Sequence, residues 1–227
     1  SIGRGNYERL QSFLQAQRIS FRVQDTRAAP LFLKGPYPPI LLRDYQYGFD
    51  RKISERDCGI IRLGTGFGKT IISLSVANLL GLKTLIIVPR GNLYAQFITT
   101  IKDFLHAEAG EIHGKKFDLQ DFTVATWQTL SRRTDDFCRL YNQFGIVIVD
   151  ECAGAITNDR RRILAELNPK YLYGLTATPR RTDKQDAAIG FTFGPIIADA
   201  DLPSEKPTVE IIRYRKDFDH WEYHRIS

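Results

Sequence analysis

The sequence predicts an α/β protein, in which a mainly parallel sheet is flanked by helices and preceded by a small N-terminal αβ segment. Three observations carry this expectation. Apolar runs of strand length alternate with helix-length amphipathic runs from residue 40 onward. A glycine-rich turn, Leu63-Gly64-Thr65-Gly66-Phe67-Gly68-Lys69-Thr70, joins one such strand to one such helix. A later run, Ile146-Val147-Ile148-Val149, stops at the acidic pair Asp150-Glu151.

Taken in order, residues 6–17 place Leu10, Phe13 and Leu14 on one helical stripe, and residues 19–23 alternate like a strand. Pro30, Pro36, Pro38 and Pro39 read as a joint that closes this accessory segment at about residue 35. Strands are then expected at 59–63, 84–88, 123–127, 145–149 and 171–176, and helices at 69–80, 92–105, 135–142 and 159–167. Strands this apolar on both faces belong to a sheet buried between two helical layers. Ligands of such sheets lie at the carboxyl ends of the strands, where the glycine-rich turn and Asp150 both fall. The tail reads as a linker with a strand at 208–214. The expected organisation is therefore an accessory segment at 1–35, a main domain at 36–200 and a linker at 201–227.

The 227 residues are 43% hydrophobic and 26% charged, an ordinary globular balance with enough apolar mass for one large domain. Lys and Arg exceed Asp and Glu, giving a net charge of +6, a mild excess that suits a polyanion. Lys115-Lys116, Arg132-Arg133, Arg160-Arg161-Arg162 and Arg180-Arg181 each read as solvated faces. Cys58, Cys138 and Cys152 lack the spacing of a zinc site or a disulfide framework, which favours a reducing compartment. The four histidines fall in no nucleophile or metal-ligand pattern. The apolar runs are too short to span a bilayer, and no signal segment opens the chain. A monomer in the cytoplasm, or associated with the nucleoid, without membrane partners is the expectation.

The glycine-rich turn carries the chemistry. Its glycines let backbone N–H groups face phosphate oxygens, and the following helix adds the positive end of its dipole. Gly64, Thr65, Gly66, Phe67 and Gly68 form the cradle, Lys69 can reach the β- and γ-phosphates, and the Thr70 hydroxyl can hold Mg²⁺. Asp150 at a buried strand end is placed to fix the same ion, and Glu151 to orient and deprotonate an attacking water. A nucleoside triphosphate with Mg²⁺ is thus the expected ligand. The strict P-loop pattern has glycine where Leu63 stands.

With these residues in place, the chain resembles the first RecA-like motor domain of a superfamily 2 helicase over residues 40–200. Leu42-Arg43-Asp44-Tyr45-Gln46 is similar to the Q motif, whose glutamine reads adenine. Ile87-Val88-Pro89-Arg90, with Leu93 and Gln96, is similar to motif Ia, and Val124-Ala125-Thr126-Trp127-Gln128-Thr129-Leu130 to the strand-end element that touches the nucleic-acid backbone. Asp150-Glu151-Cys152 matches motif II, and Gly174-Leu175-Thr176-Ala177-Thr178-Pro179 matches motif III. The resemblance implies ATP as the nucleotide, read by Arg43 and Gln46. It also implies coupling through Thr176 and Thr178, and backbone contacts from Arg90, Trp127, Gln128 and Thr129. Trp127 reads equally well as a packed core aromatic. The subtype most resembles XPB-type and UvsW-type helicases, which favours branched or duplex DNA over RNA.

Two departures are visible. Position 153 is alanine where motif II usually has histidine or aspartate, so a polar link from that position is missing. The family's second RecA-like domain, with its arginine finger, is not in this sequence. The expectation is ATP binding with weak turnover, since arginine fingers are worth roughly 10³–10⁵ in rate. The leading reading is the N-terminal half of a DNA helicase or translocase. The alternatives are the motor subunit of a restriction enzyme and a non-catalytic, ATP-switched nucleic-acid-binding module.

Overall fold

Eight strands build one sheet in the computed structural model, which describes residues 4–202 except 26, 28–30, 90, 134–139, 141, 155, 156 and 178–184. They are β1 (Cys58–Leu63), β2 (Thr84–Val88), β3 (Ala109–His113), β4 (Lys116–Asp118), β5 (Phe122–Thr126), β6 (Ile146–Val149), β7 (Tyr171–Thr176) and β8 (Ile196–Ala200). The helices among the described residues are α1 (Tyr7–Ala16), α2 (Phe49–Ser54), α3 (Lys69–Leu80), α4 (Gly91–Leu105), α5 (Trp127–Arg132), α6 (Asn158–Leu167) and α7 (Gln185–Phe193). The strand order is β4-β3-β5-β2-β6-β7-β1-β8, parallel throughout except for the β3–β4 hairpin.

The pattern of the strands explains the layers. In β2, Ile86 and Val88 enter one core while Leu85 and Ile87 enter the other, and β6 divides Ile146 and Ile148 from Val147 and Val149 in the same way. The first core gathers Ile53, Ile72, Leu74, Phe97 and Ile101 from α2, α3 and α4. The second gathers Trp127, Ile163, Leu164 and Phe193 from α5, α6 and α7. Each side chain buried this fully contributes about 1.5–3 kcal/mol, so two-faced burial fixes the sheet between its helical layers.

All five expected strands are present, as are the helices expected at 69–80, 92–105 and 159–167. The run expected as a helix at 135–142 lies largely outside the described residues, and the strand expected at 208–214 wholly so. Three features differ. Residues 19–23 form no strand and pair with none among the described residues, and Ile19, Phe21 and Val23 stay exposed. Alternation alone specifies a pleat, whereas a strand also needs a partner's N–H and C=O row. Trp127 does not end β5 but opens α5, because the Thr126 hydroxyl accepts from the Thr129 N–H and caps a helix there. Strands β3, β4 and β8 had no counterpart in the expectation.

Described residues of the N-terminal 37 lie against the main body. Gly5 meets the backbone of Gly190 and Gly194 with no room for a Cβ. The Leu33 N–H donates to Gly81 O (3.0 Å) and the Lys83 N–H to Leu31 O (2.8 Å). Buried Asp121 accepts from the Lys34 N–H (2.6 Å) and the Tyr37 hydroxyl (2.9 Å), tying the strap to the foot of β5. The proline-rich joint is packed as well, since Asn78 donates to Pro38 O (3.0 Å).

Candidate functional site

The glycine-rich turn leaves β1 and enters α3 through two left-handed residues, Gly66 (φ +82°) and Gly68 (φ +94°), where any Cβ would strain the backbone. Its shape is held from three sides. The Gly64 N–H donates to Ala200 O of β8 (2.9 Å). Phe67 is buried, edge-on to Tyr45 (5.2 Å) and Phe49 (5.4 Å). Gln46, only 3% exposed, donates from Nε2 to Phe67 O (2.6 Å) and accepts the Arg43 N–H at Oε1 (3.0 Å). A Cβ on Gly68 would overlap that Nε2 atom. Gln46 thus fastens the loop itself, a role that no local pattern announces. Arg43, exposed, donates to the Tyr45 hydroxyl (2.9 Å).

Lys69 and Thr70 open α3 at the same carboxyl edge. Lys69 Nζ donates to Leu63 O (3.2 Å), so the ammonium lies over the loop. The Thr70 hydroxyl accepts from Gln96 Nε2 of α4 (3.4 Å). Two strands away from β1, Asp150 follows β6 and is 5% exposed. Its N–H donates to Ile87 O (2.9 Å), and its Oδ1 accepts the Glu151 N–H (3.0 Å). Burial above all, then the Glu151 charge, pushes the Asp150 carboxyl up to about 6, against the Glu151 N–H and the Lys69 charge. Glu151 itself has φ +50°, a left-handed conformation that costs a non-glycine residue about 1 kcal/mol.

These residues fit Mg²⁺. A buried carboxylate with little compensation and a hydroxyl on the facing loop are hard oxygen donors, and Mg²⁺ takes one or two such ligands together with phosphates and water. Among the described residues no group of three His, Cys, Asp or Glu side chains could hold a metal alone. Cys152 is fully buried and its thiol is pushed up to about 12, chiefly by burial, so it stays neutral. Its Sγ packs against β7 at Gly174, while Ala153 packs on the second core. Thr176 ends β7 at the same edge and is buried. Thr178 and Arg90 lie outside the described residues.

The track-side residues divide. Trp127 is 2% exposed, with the Arg160 guanidinium 5.2 Å above its ring, and Thr129 is 7% exposed. The Thr129 hydroxyl lies 3.0 Å from that of Thr126 and accepts the Gly114 N–H (3.2 Å). Both side chains turn inward because the Thr126 cap starts a helix whose first turn faces the core. Trp127 and Thr129, expected at the nucleic-acid side with a packed-core reading for Trp127 equally open, are thus buried, whereas Gln128 is exposed at this edge.

No helix among the described residues is long and apolar enough to cross a membrane. The family model of the type III restriction enzyme res subunit matches residues 39–181. A DNA 3'-5' translocase XPB2 of Sulfurisphaera tokodaii is 34% identical over 167 residues, 71% of this chain and 37% of that protein. The chain thus spans well under half the length of that curated relative. The UvsW helicase of bacteriophage T4 shares the fold with a TM-score of 0.60 at 22% identity, over 85% of this chain and 77% of that one. The Sulfolobus solfataricus SWI2/SNF2 ATPase core, solved in complex with dsDNA, has a TM-score of 0.59 at 21% identity, over 70% of this chain and 37% of that one. With its motifs in order along one sheet edge, the chain belongs to the type III restriction enzyme res subunit family.

Proposed function

We propose that this chain is the ATP-binding half of an ATP-dependent DNA helicase or translocase, acting on branched or duplex DNA. One observation carries the reading. Lys69 and Thr70 at the start of α3, and Asp150 and Glu151 at the end of β6, meet at one edge, where the Lys69 charge acts on the Asp150 carboxylate. In this reading the cradle from Gly64 to Gly68 binds the triphosphate through backbone N–H groups, and Lys69 neutralises its outer phosphates. Thr70 and Asp150 hold Mg²⁺, which supplies charge neutralisation at the phosphates. Glu151, beside Asp150, orients a water and takes its proton. Arg43 and Gln46 flank the adenine, Thr176 and Thr178 couple the site to the track, and Arg90 and Gln128 contact the nucleic-acid backbone. The partners are DNA and a second RecA-like domain of the same polypeptide, the protein being a monomer. The relatives' printed names, a DNA translocase and an ATPase core solved with dsDNA, support DNA over RNA.

The test is ATP turnover without nucleic acid and with single strands, duplex, branched DNA or RNA. Lys69→Ala and Glu151→Gln serve as controls. The expected result is weak turnover stimulated by DNA and lost in both variants, with nucleotide binding retained by Glu151→Gln. Stimulation that survives Lys69→Ala rejects the phosphate-loop assignment. The family description supports a second reading, the motor subunit of a restriction enzyme, which differs in what the motor is attached to and not in this site.

A further inference from the structure

We infer that the turn between β3 and β4 is an additional contact for nucleic-acid phosphates, made by Lys115 and Lys116 beside Gln128; this rests on the DNA-motor reading above. Strand β3 runs parallel to β5 with Ile112 beside Ala125, so His113 arrives at the carboxyl edge together with Thr126. The turn His113-Gly114-Lys115-Lys116 therefore stands next to the start of α5, and all four of its residues are exposed. Neighbouring strands lie about 4.8 Å apart, so the ends of β2, β5 and β3 span roughly 10 Å, or about three nucleotide steps along one strand of a duplex.

A lysine pair on an edge hairpin has a blander explanation, since edge lysines discourage strand-to-strand aggregation. That explanation does not account for how the turn is fastened. On one side the Gly114 N–H donates to Thr129 Oγ1 (3.2 Å), and Arg133 donates to Gly114 O (2.8 Å) with its guanidinium over Phe117 (5.7 Å). On the other side the His113 ring stacks 4.7 Å from Tyr94 of α4, and the Tyr94 hydroxyl bonds Glu111. Lys116 Nζ lies 2.9 Å from the same Glu111 carboxylate. The turn is thus pinned to both helices that follow track-side strand ends, α4 after β2 and α5 after β5. Pinning fixes the lysines relative to Gln128 before any ligand arrives, which lowers the ordering cost of binding. Glu111 is engaged by Tyr94 and Lys116, and Asp118 lies at the far end of the hairpin. With Lys116 paired to Glu111, Lys115, Arg132 and Arg133 leave the local field positive.

The experiment is equilibrium binding of a labelled duplex and a labelled single strand across a salt series. It compares the unsubstituted chain with Lys115→Ala, Lys115→Ala/Lys116→Ala and, as a remote control on α2, Lys52→Ala. Each lost contact should make the slope of log K against log salt shallower by about 0.9 on duplex and about 0.7 on single strands, and weaken duplex binding about fivefold at 0.15 M salt. The lysines are exposed, so the variants should melt with the unsubstituted chain. A double variant that binds with unchanged slope and affinity overturns the inference and leaves the proposed function standing. Failure of the unsubstituted chain to bind any nucleic acid overturns both.

Discussion

Replacing Gln46 by glutamate tests how the nucleotide loop is held. The change is nearly isosteric and keeps the acceptor for the Arg43 N–H, but it removes the Nε2 donor that meets Phe67 O at 2.6 Å. Above neutral pH the introduced carboxylate faces that carbonyl, so a net hydrogen bond of about 1 kcal/mol is lost and an orphaned buried acceptor costs about 1–3 kcal/mol more. The total is about 2–4 kcal/mol, or about 4–16 °C in Tm for a domain of this size. Because the site is buried, the introduced acid binds its proton more tightly in the folded chain than in the unfolded one. Its penalty must therefore shrink as pH falls, when the protonated acid can donate to Phe67 O. Thermal melts at pH 8 and pH 5.5, each referred to the unsubstituted chain, read this directly. Gln46→Ala is the control, since its penalty has no titrating group and stays constant. Nucleotide affinity should fall with stability at pH 8 and recover at pH 5.5. A loss that does not change with pH, or no loss at all, refutes the view that Gln46 secures the loop by donating to Phe67.

Three other outcomes are expected. Asp150→Asn should stabilise the chain by about 2–3 kcal/mol at pH 8 and by nothing near pH 4, because a raised carboxyl pKa means that ionisation above pH 6 costs folding free energy; urea titrations at the two pH values check this, and Mg²⁺-dependent nucleotide binding should be lost. Gln96→Ala removes the donor to the Thr70 hydroxyl and should lower DNA stimulation of turnover a few-fold while leaving nucleotide affinity within about twofold, measured by turnover and titration in parallel. Arg160→Ala should cost about 1 kcal/mol and shift the Trp127 emission, whereas an unchanged spectrum would place the guanidinium elsewhere.

Much of the fold was legible because its signals are local. Helix α3 begins and ends where Gly68 and Gly81 adopt left-handed caps, so the expected bounds of 69–80 coincide with the observed ones. Strands β2 and β7 are apolar enough to be read to the residue. Strand β8 was not legible, since its Asp199 is paired with Arg62 on β1, a partner 137 residues away. The hairpin was missed because only Gly110 and Ile112 of β3 turn fully inward, too few to show a period. Within the site, the phosphate loop and the acidic pair were visible as motifs. The inward turn of Trp127 was not, because it depends on whether the Thr126 hydroxyl caps a helix or ends a strand.

Strand order divides the working edge of the sheet. The residues proposed to handle the triphosphate follow β1 and β6, whereas Gln128 and the hairpin turn follow β5 and β3, and β2 lies between the two groups. Beyond the β2–β6 ladder itself, the bonds that cross this boundary include the Asp150 N–H to Ile87 O of β2 and Gln96 Nε2 of α4 to the Thr70 hydroxyl. Helix α4 follows β2, and its Tyr94 stacks on the hairpin turn. A change at Thr70 thus has a short, packed route through one helix to the far end of the edge. Arg160 of α6 caps the Trp127 ring at the start of α5. Helices α4 and α5 are the two that pin the turn. An element that only shielded a sheet edge would not need to be fastened to the ends of both.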